Sequence, residues 1–185
     1  MSSDATRVIA VVSRHWLVGA IPSNGIRIQD VLNKESTEFV RLTDVQVCRE
    51  ADRRWCLTTL PEAMAPKRNI ELMILPEDSH EAPVKRWNNF AVKATVNVFA
   101  IVSGYCVQGE LQLPPSTIDR LHALTNQLGS FFPVTDAAVI GPGTTRTSAP
   151  VVFVNKRFLS CLHVGDPANV ESGPAELESS LHGGA

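Results

Sequence analysis

Two aspartates stand at matched places in this chain: Asp44 in FVRLTDVQV (39–47) and Asp136 in FFPVTDAAV (131–139). A pair of carboxylates can divide general acid and general base work, provided the fold brings them close to one another or to a substrate. Each follows a threonine inside a strand-like run. Thr and Asp side chains in that setting bond nearby backbone where a strand begins or bulges. We therefore read Asp44 and Asp136 as structural positions and expect no catalytic residue among them. His15, His80, His122, His163 and His182 are dispersed and form no metal-ligating pattern. Ser13 and Ser103 recur at matched places but lack the GxSxG frame of a nucleophile elbow. The GPG at 141–143 lacks the Lys-Ser/Thr and the helix of a phosphate loop. The expectation is a protein that is not an enzyme, with no cofactor and no metal.

Two basic groups have the composition of a nucleic-acid contact. Arg53 and Arg54 precede Trp55, with Arg49 nearby, and Asn155, Lys156 and Arg157 precede Phe158. A cation beside an aromatic ring can hold phosphate and stack a base. A solvated charged loop has the same composition. The formal charge of −2 over 185 residues, with pI near 6.2, argues against binding driven by bulk electrostatics.

The elements that must position these residues are duplicated. Val8–Gly19 reads VIAVVSRHWLVG and Val98–Gly109 reads VFAIVSGYCVQG, and the FVRLTDVQV and FFPVTDAAV blocks follow in the same order. Two blocks repeated in order at nearly equal spacing indicate a duplicated unit. Residues 7–12, 16–21, 39–47, 70–75 and 131–140 are β-branched and aromatic runs and read as strands. Gly19 and Gly109 sit inside strand patterns, which marks a bulge or a bend. Ile26–Asn33 is ambiguous between strand and helix. Ser116–Leu128 carries Ile118, Leu121, Leu124 and Leu128 at helical spacing, with Gly129 to stop it. Pro76–Asn89 is the best linker, and the Gly/Ser/Pro/Glu-rich end reads as a disordered acidic tail.

Composition sets the remaining bounds. The hydrophobic fraction is 44 % with mean hydropathy +0.02, as expected of a soluble globular chain. The N-terminus lacks the pattern of a signal peptide, and no apolar run reaches a membrane span. Cys48, Cys56, Cys106 and Cys161 form no CxxC and read as buried free thiols. These features predict a cytoplasmic location and no membrane association.

The strand, Gly, Asp and Leu-x-Asp order resembles the first signature of the Sm-like small β-barrels. It is carried by Gly19, Ile21, Asp30, Leu32-Asn33, Leu42, Asp44 and Val45, and again by Gly109, Leu111, Asp119, Val134, Asp136 and Ala137. Val151–Val154, Asn155-Lys156-Arg157 and Phe158-Leu159 are similar to the second signature, with Asn155 at the place of the usual turn Gly. The first copy has no matching second signature. Gly109-x-Leu111-x-x-Pro114 and Leu42-Thr43-Asp44 also resemble a pattern of uncharacterised bacterial proteins, which implies no activity. The Sm-like resemblance implies a nucleobase pocket, carried over here to Asp30, Asn33, Asn155 and Lys156.

The expected fold is mainly β with short helices: a module over 1–80, a linker over 81–92, a second module over 93–164 and a tail over 165–185. Both modules are expected to be small Sm/SH3-like barrels. Strand-rich copies of this size leave open edges that need partners. The expected role is a non-enzymatic assembly or adaptor protein, a homo-oligomer or tight pseudo-dimer that binds protein through barrel edges. The alternatives are an Sm-like RNA-binding protein with Asp30, Asn33, Arg53, Arg54, Trp55, Asn155, Lys156 and Arg157 as contacts, and an enzyme with a cleft between the modules.

Overall fold

Alternation of apolar and polar residues builds most of this chain into strands that bury one face. The structure, a computed structural model, describes residues 5–49, 52–76, 94–113, 129–141 and 146–165. The helix expected over 116–128, the linker over 81–92 and the tail beyond 165 lie outside these residues. The order is β1 (Ala5–Val12), β2 (His15–Pro22), α1 (Ile28–Asn33), β3 (Phe39–Arg49), β4 (Asp52–Pro66), β5 (Ile70–Leu75), β6 (Ala94–Val102), β7 (Tyr105–Leu113), β8 (Phe131–Ile140), β9 (Arg146–Asn155) and β10 (Leu159–Val164). Short 3-10 turns at Lys67–Asn69 and Lys156–Phe158 precede β5 and β10.

All the described strands join one ten-stranded antiparallel sheet in the order β10-β6-β7-β8-β9-β5-β1-β2-β3-β4. The fold is mainly β, as the sequence predicts. The sheet is not closed: β10 and β4 are its two ends.

The ladders of the two halves match pair for pair from Phe39 to Val47 and from Phe131 to Val139, and differ at the far ends, where Cys48 faces Cys56 through a register shift and Ile140 faces Arg146 without one. β3 meets β4 from Phe39 opposite Pro66 through Val40 opposite Ala65 and Arg41 opposite Met64. β8 meets β9 from Phe131 opposite Asn155 through Phe132 opposite Val154 and Pro133 opposite Phe153. The β1–β5 ladder slips between Val11 and Val12, where Val12 faces Ile70 and Val11 faces Leu72. The β6–β10 ladder slips in the same way, with Val102 facing Leu159 and Ile101 facing Cys161. The backbone N–H of Lys67 donates to the Glu38 carbonyl at 2.8 Å, and that of Lys156 to the Ser130 carbonyl at 2.9 Å.

The same local devices make the turns and bends. Ser13 and Arg14 (φ 46° and 65°), like Ser103 and Gly104 (φ 49° and 88°), form two-residue hairpin turns with both residues left-handed. Each strand pair then slips at a glycine. β2–β3 shifts between Val18 and Ala20, and β7–β8 between Gln108 and Glu110. Asp44 (φ 51°) and Asp136 (φ 47°) supply the left-handed residue of each slip. Their strands run on through them. The hydroxyls of Thr43 and Thr135 each donate at 3.3 Å to a carbonyl across the slip, that of Ala20 and that of Glu110.

Two further sequence readings change. The sequence reading has no strand between 47 and 70, whereas Asp52–Pro66 forms one continuous strand, β4, fifteen residues long. The four thiols are free, but only Cys48 is buried, while Cys56 and Cys161 are exposed and Cys106 is half-buried. Cys56 and Cys161 lie on β4 and β10, the two end strands of the sheet.

The core spans both halves. Leu72 and Ile74 of β5, with Val11 and Trp16, pack into the cluster built mainly by β6–β9. Phe131 and Phe153 go the other way, into the cluster built by β1–β5 and α1. The Trp16 indole N–H donates to the Tyr105 hydroxyl at 3.3 Å across the same boundary.

Candidate functional site

Strand β5 pairs with β9 through Leu72 opposite Val154, Met73 opposite Phe153, Ile74 opposite Val152 and Leu75 opposite Val151. Above this ladder the two 3-10 turns, the end of α1 and the start of β8 converge. Asn155 is 4 % exposed. Its amide donates to the Ile70 carbonyl at 2.7 Å and the Lys67 carbonyl at 3.3 Å, and its oxygen accepts from the Arg157 backbone N–H at 3.0 Å. One side chain thus caps its own turn and clips the turn of the other half.

Asn33 makes the second clip. Its oxygen accepts from the Phe131 N–H at 2.9 Å, and its amide donates to the Phe131 carbonyl at 2.8 Å and the Gln29 carbonyl at 3.1 Å. It serves the edge of β8 as a strand partner would. Gly129 makes room for it: a Cβ there would stand 2.6 Å from Asn33 Oδ1.

Beside these clips lies a cavity of about 380 Å³, lined in part by Asn33, Lys34, Phe39, Lys67, Arg68 and Arg157, with Glu35 and Glu38 on its rim. Lys67 is a buried residue, and its ammonium donates to the Lys34 carbonyl at 2.8 Å and the Thr37 hydroxyl at 2.9 Å. Burial, followed by the nearby charge of Lys34, pulls its pKa below the usual lysine value. Four cations against two carboxylates leave the cavity net positive.

The residues singled out from the sequence distribute as follows. Asn33, Asn155 and Arg157 meet at the cavity wall. Lys156 lies half-buried in the turn next to it, and Asp30 is exposed on α1. Arg53, Arg54 and Trp55 lie on β4, and their side chains are outside the description. The amide donors of Asn33 and Asn155 are both spent on backbone carbonyls. Asp44 and Asp136 are exposed at their bulges, and Gly19 and Gly109 sit opposite. Among the described residues no group of three His, Cys, Asp or Glu could hold a metal ion. No helix among them is long and apolar enough to cross a membrane.

Lys67 and Arg68 were not singled out from the sequence. The signal was the Lys-Arg pair itself, which stands before β5 as Lys156-Arg157 stands before β10.

The second feature of interest is the pair of free edges. On β4, Met64 is 56 % exposed, Leu57 41 % and Leu60 36 %. On β10 no residue is buried, whereas β5 is buried throughout. Comparison with known proteins finds no matching family model, no matching curated protein and no matching solved structure.

Proposed function

We propose that this chain is a non-enzymatic assembly or adaptor protein, made of two small Sm-like barrel modules in tandem, that associates through the ends of its sheet. The observation that carries the reading is the pairwise match of the ladders in the two halves, together with apolar side chains left exposed on β4. Open strand edges present unpaired N–H and C=O groups, and natural proteins cover or blunt them. Here the β4 edge carries Met64 and Leu60 in the open. Light scattering on a sizing column, with the nucleic-acid absorbance ratio read on the same peak, tests this. An oligomer free of nucleic acid is expected. A monomer at all concentrations, with no protein partner bound, contradicts the reading.

One observation favours a second reading, an RNA-binding protein of Sm-like type. Lys34, Lys67, Arg68 and Arg157 surround a cavity with Phe39 at its wall. Cations beside an exposed ring suit a phosphate and a stacked base. This reading expects an oligo-uridine or oligo-adenosine to bind with steep salt dependence, weakened by Arg157→Ala or Lys156→Ala. No binding at low salt contradicts it.

A further inference from the structure

We infer that the β4 edge of one chain pairs head to tail with the β10 edge of a second copy, repeating the ladder that joins β9 to β5 inside the chain. This inference rests on the assembly reading above and names its partner.

The first support is positional. β5 and β10 each follow a Lys-Arg 3-10 turn and pair with the first strand of their half through the same slip. β4 and β9 each pair with the strand before them in the same register. Inside the chain the outer edge of β9 is taken by β5. The outer edges of β10 and β4 are the two ends of the sheet. The operation that carries the first half onto the second, applied once more, sets a new β4 against β10.

The second support is burial. Leu72 and Ile74 leave their own half to fill the core of the other, and Phe153 crosses in return. At the matched places, Cys161 and His163 on β10 are exposed, and Met64 on β4 is 56 % exposed where Phe153 is 2 %. The residues that cross the internal junction thus have counterparts facing solvent at the free edges.

The third support is length. The β5–β9 ladder ends at Val151, next to Pro150, which has no N–H to extend it. On β4, Pro61 stands next to Glu62 in the same relation. The transposed register sets Cys161 opposite Ala65, Leu162 opposite Met64, His163 opposite Ala63 and Val164 opposite Glu62. The one charge in it, Glu62, is held by Arg41 at 2.7 Å.

Two differences set the strength. Pro66 stands where Asn155 stands, so the junction between chains lacks the amide clip. His163 stands where Ile74 stands, so it buries less apolar surface. The contact between chains is weaker than the internal one, and association depends on concentration. Because the two edges differ, the contact is heterologous and builds a closed ring or an open fibre.

The test is Ala65→Cys with the native Cys161 as partner, under oxidised glutathione. Directly opposed residues hold their Cβ atoms about 4.5–5.5 Å apart, close to disulfide reach. Peptide mapping is expected to find the introduced thiol joined to Cys161 of another chain, in a ladder of covalent multimers that added Cys161→Ser abolishes. As a control that leaves β4 intact, His163→Ile should tighten association of the otherwise native chain about tenfold. An introduced thiol joined to its own counterpart, or Cys161 joined to Cys161, overturns the inference. So does association seen by light scattering with no cross-link and no response to His163→Ile, which leaves the assembly reading standing. A monomer at every concentration ends both.

Discussion

Met64 and Phe153 occupy the third pair of two ladders that match from that end, yet Met64 is 56 % exposed and Phe153 is 2 % exposed. The difference is the neighbour. Phe153 lies on β9, whose outer edge pairs with β5, whereas among the described residues no strand pairs with the outer edge of β4.

The register shifts at Gly19 and Gly109 bring each glycine close to the backbone of the neighbouring strand. A Cβ on Gly109 would stand 2.6 Å from the Thr135 carbonyl oxygen, and one on Gly19 2.9 Å from that of Thr43. Gly109→Ala is expected to cost about 2 kcal/mol, and Gly19→Ala less. Asp44→Gly should be near neutral because it keeps the left-handed φ, whereas Asp44→Val should cost about 1–2 kcal/mol. Denaturant unfolding of the purified variants measures all four.

Asn155 joins the halves from a buried position. Asn155→Ala leaves the Ile70 and Lys67 carbonyls and the Arg157 N–H without this partner. The expected loss is about 2 kcal/mol in thermal or chemical unfolding. Hydrogen exchange should quicken at Arg157. A variant with unchanged stability would show that water replaces the amide at no cost.

The thiols should react in a fixed order. Burial, then the neighbouring Cys56, pushes the Cys48 thiol above its usual value. Cys48 and Cys56 face each other across β3–β4. Alkylation at neutral pH, read by peptide mass, should label Cys56 early and Cys48 last.

Lys67 links stability to pH. Its folded pKa is lowered, so between that value and the ordinary lysine pKa the unfolded chain holds more protons than the folded one. Stability from this group therefore rises with pH in that alkaline window, by an increment that solvent screening keeps small. Below the folded pKa both states are charged and the cost of burying the ammonium is fully present. Comparing unfolding of wild type with Lys67→Met across this range isolates the increment, which the variant should lack.

The strands and bulge glycines were legible because each rests on local chemistry: β-branched runs and a glycine inside a strand pattern. Helix α1 was ambiguous because only Ile28 and Leu32 of its residues are buried. β4 gave no strand pattern because a strand at the end of a sheet tolerates charge and proline, as at Arg53, Arg54 and Pro61. The turn at Lys67–Asn69 escaped because its spacing from Lys156–Phe158 differs by a few residues from that of the Thr-Asp blocks. The clips at Asn33 and Asn155 join residues far apart in the chain. Periodicity carries no signal of such pairing.

The most direct test of assembly through the sheet ends is the mass in solution of wild type and of Met64→Lys, measured side by side over a range of concentrations. Wild type is expected to grow through multiples of its 20.1 kDa chain mass as concentration rises, while Met64→Lys, folded and of equal secondary structure, stays at one chain. Wild type that remains a single chain throughout, or a variant that assembles as well as wild type, would contradict the account.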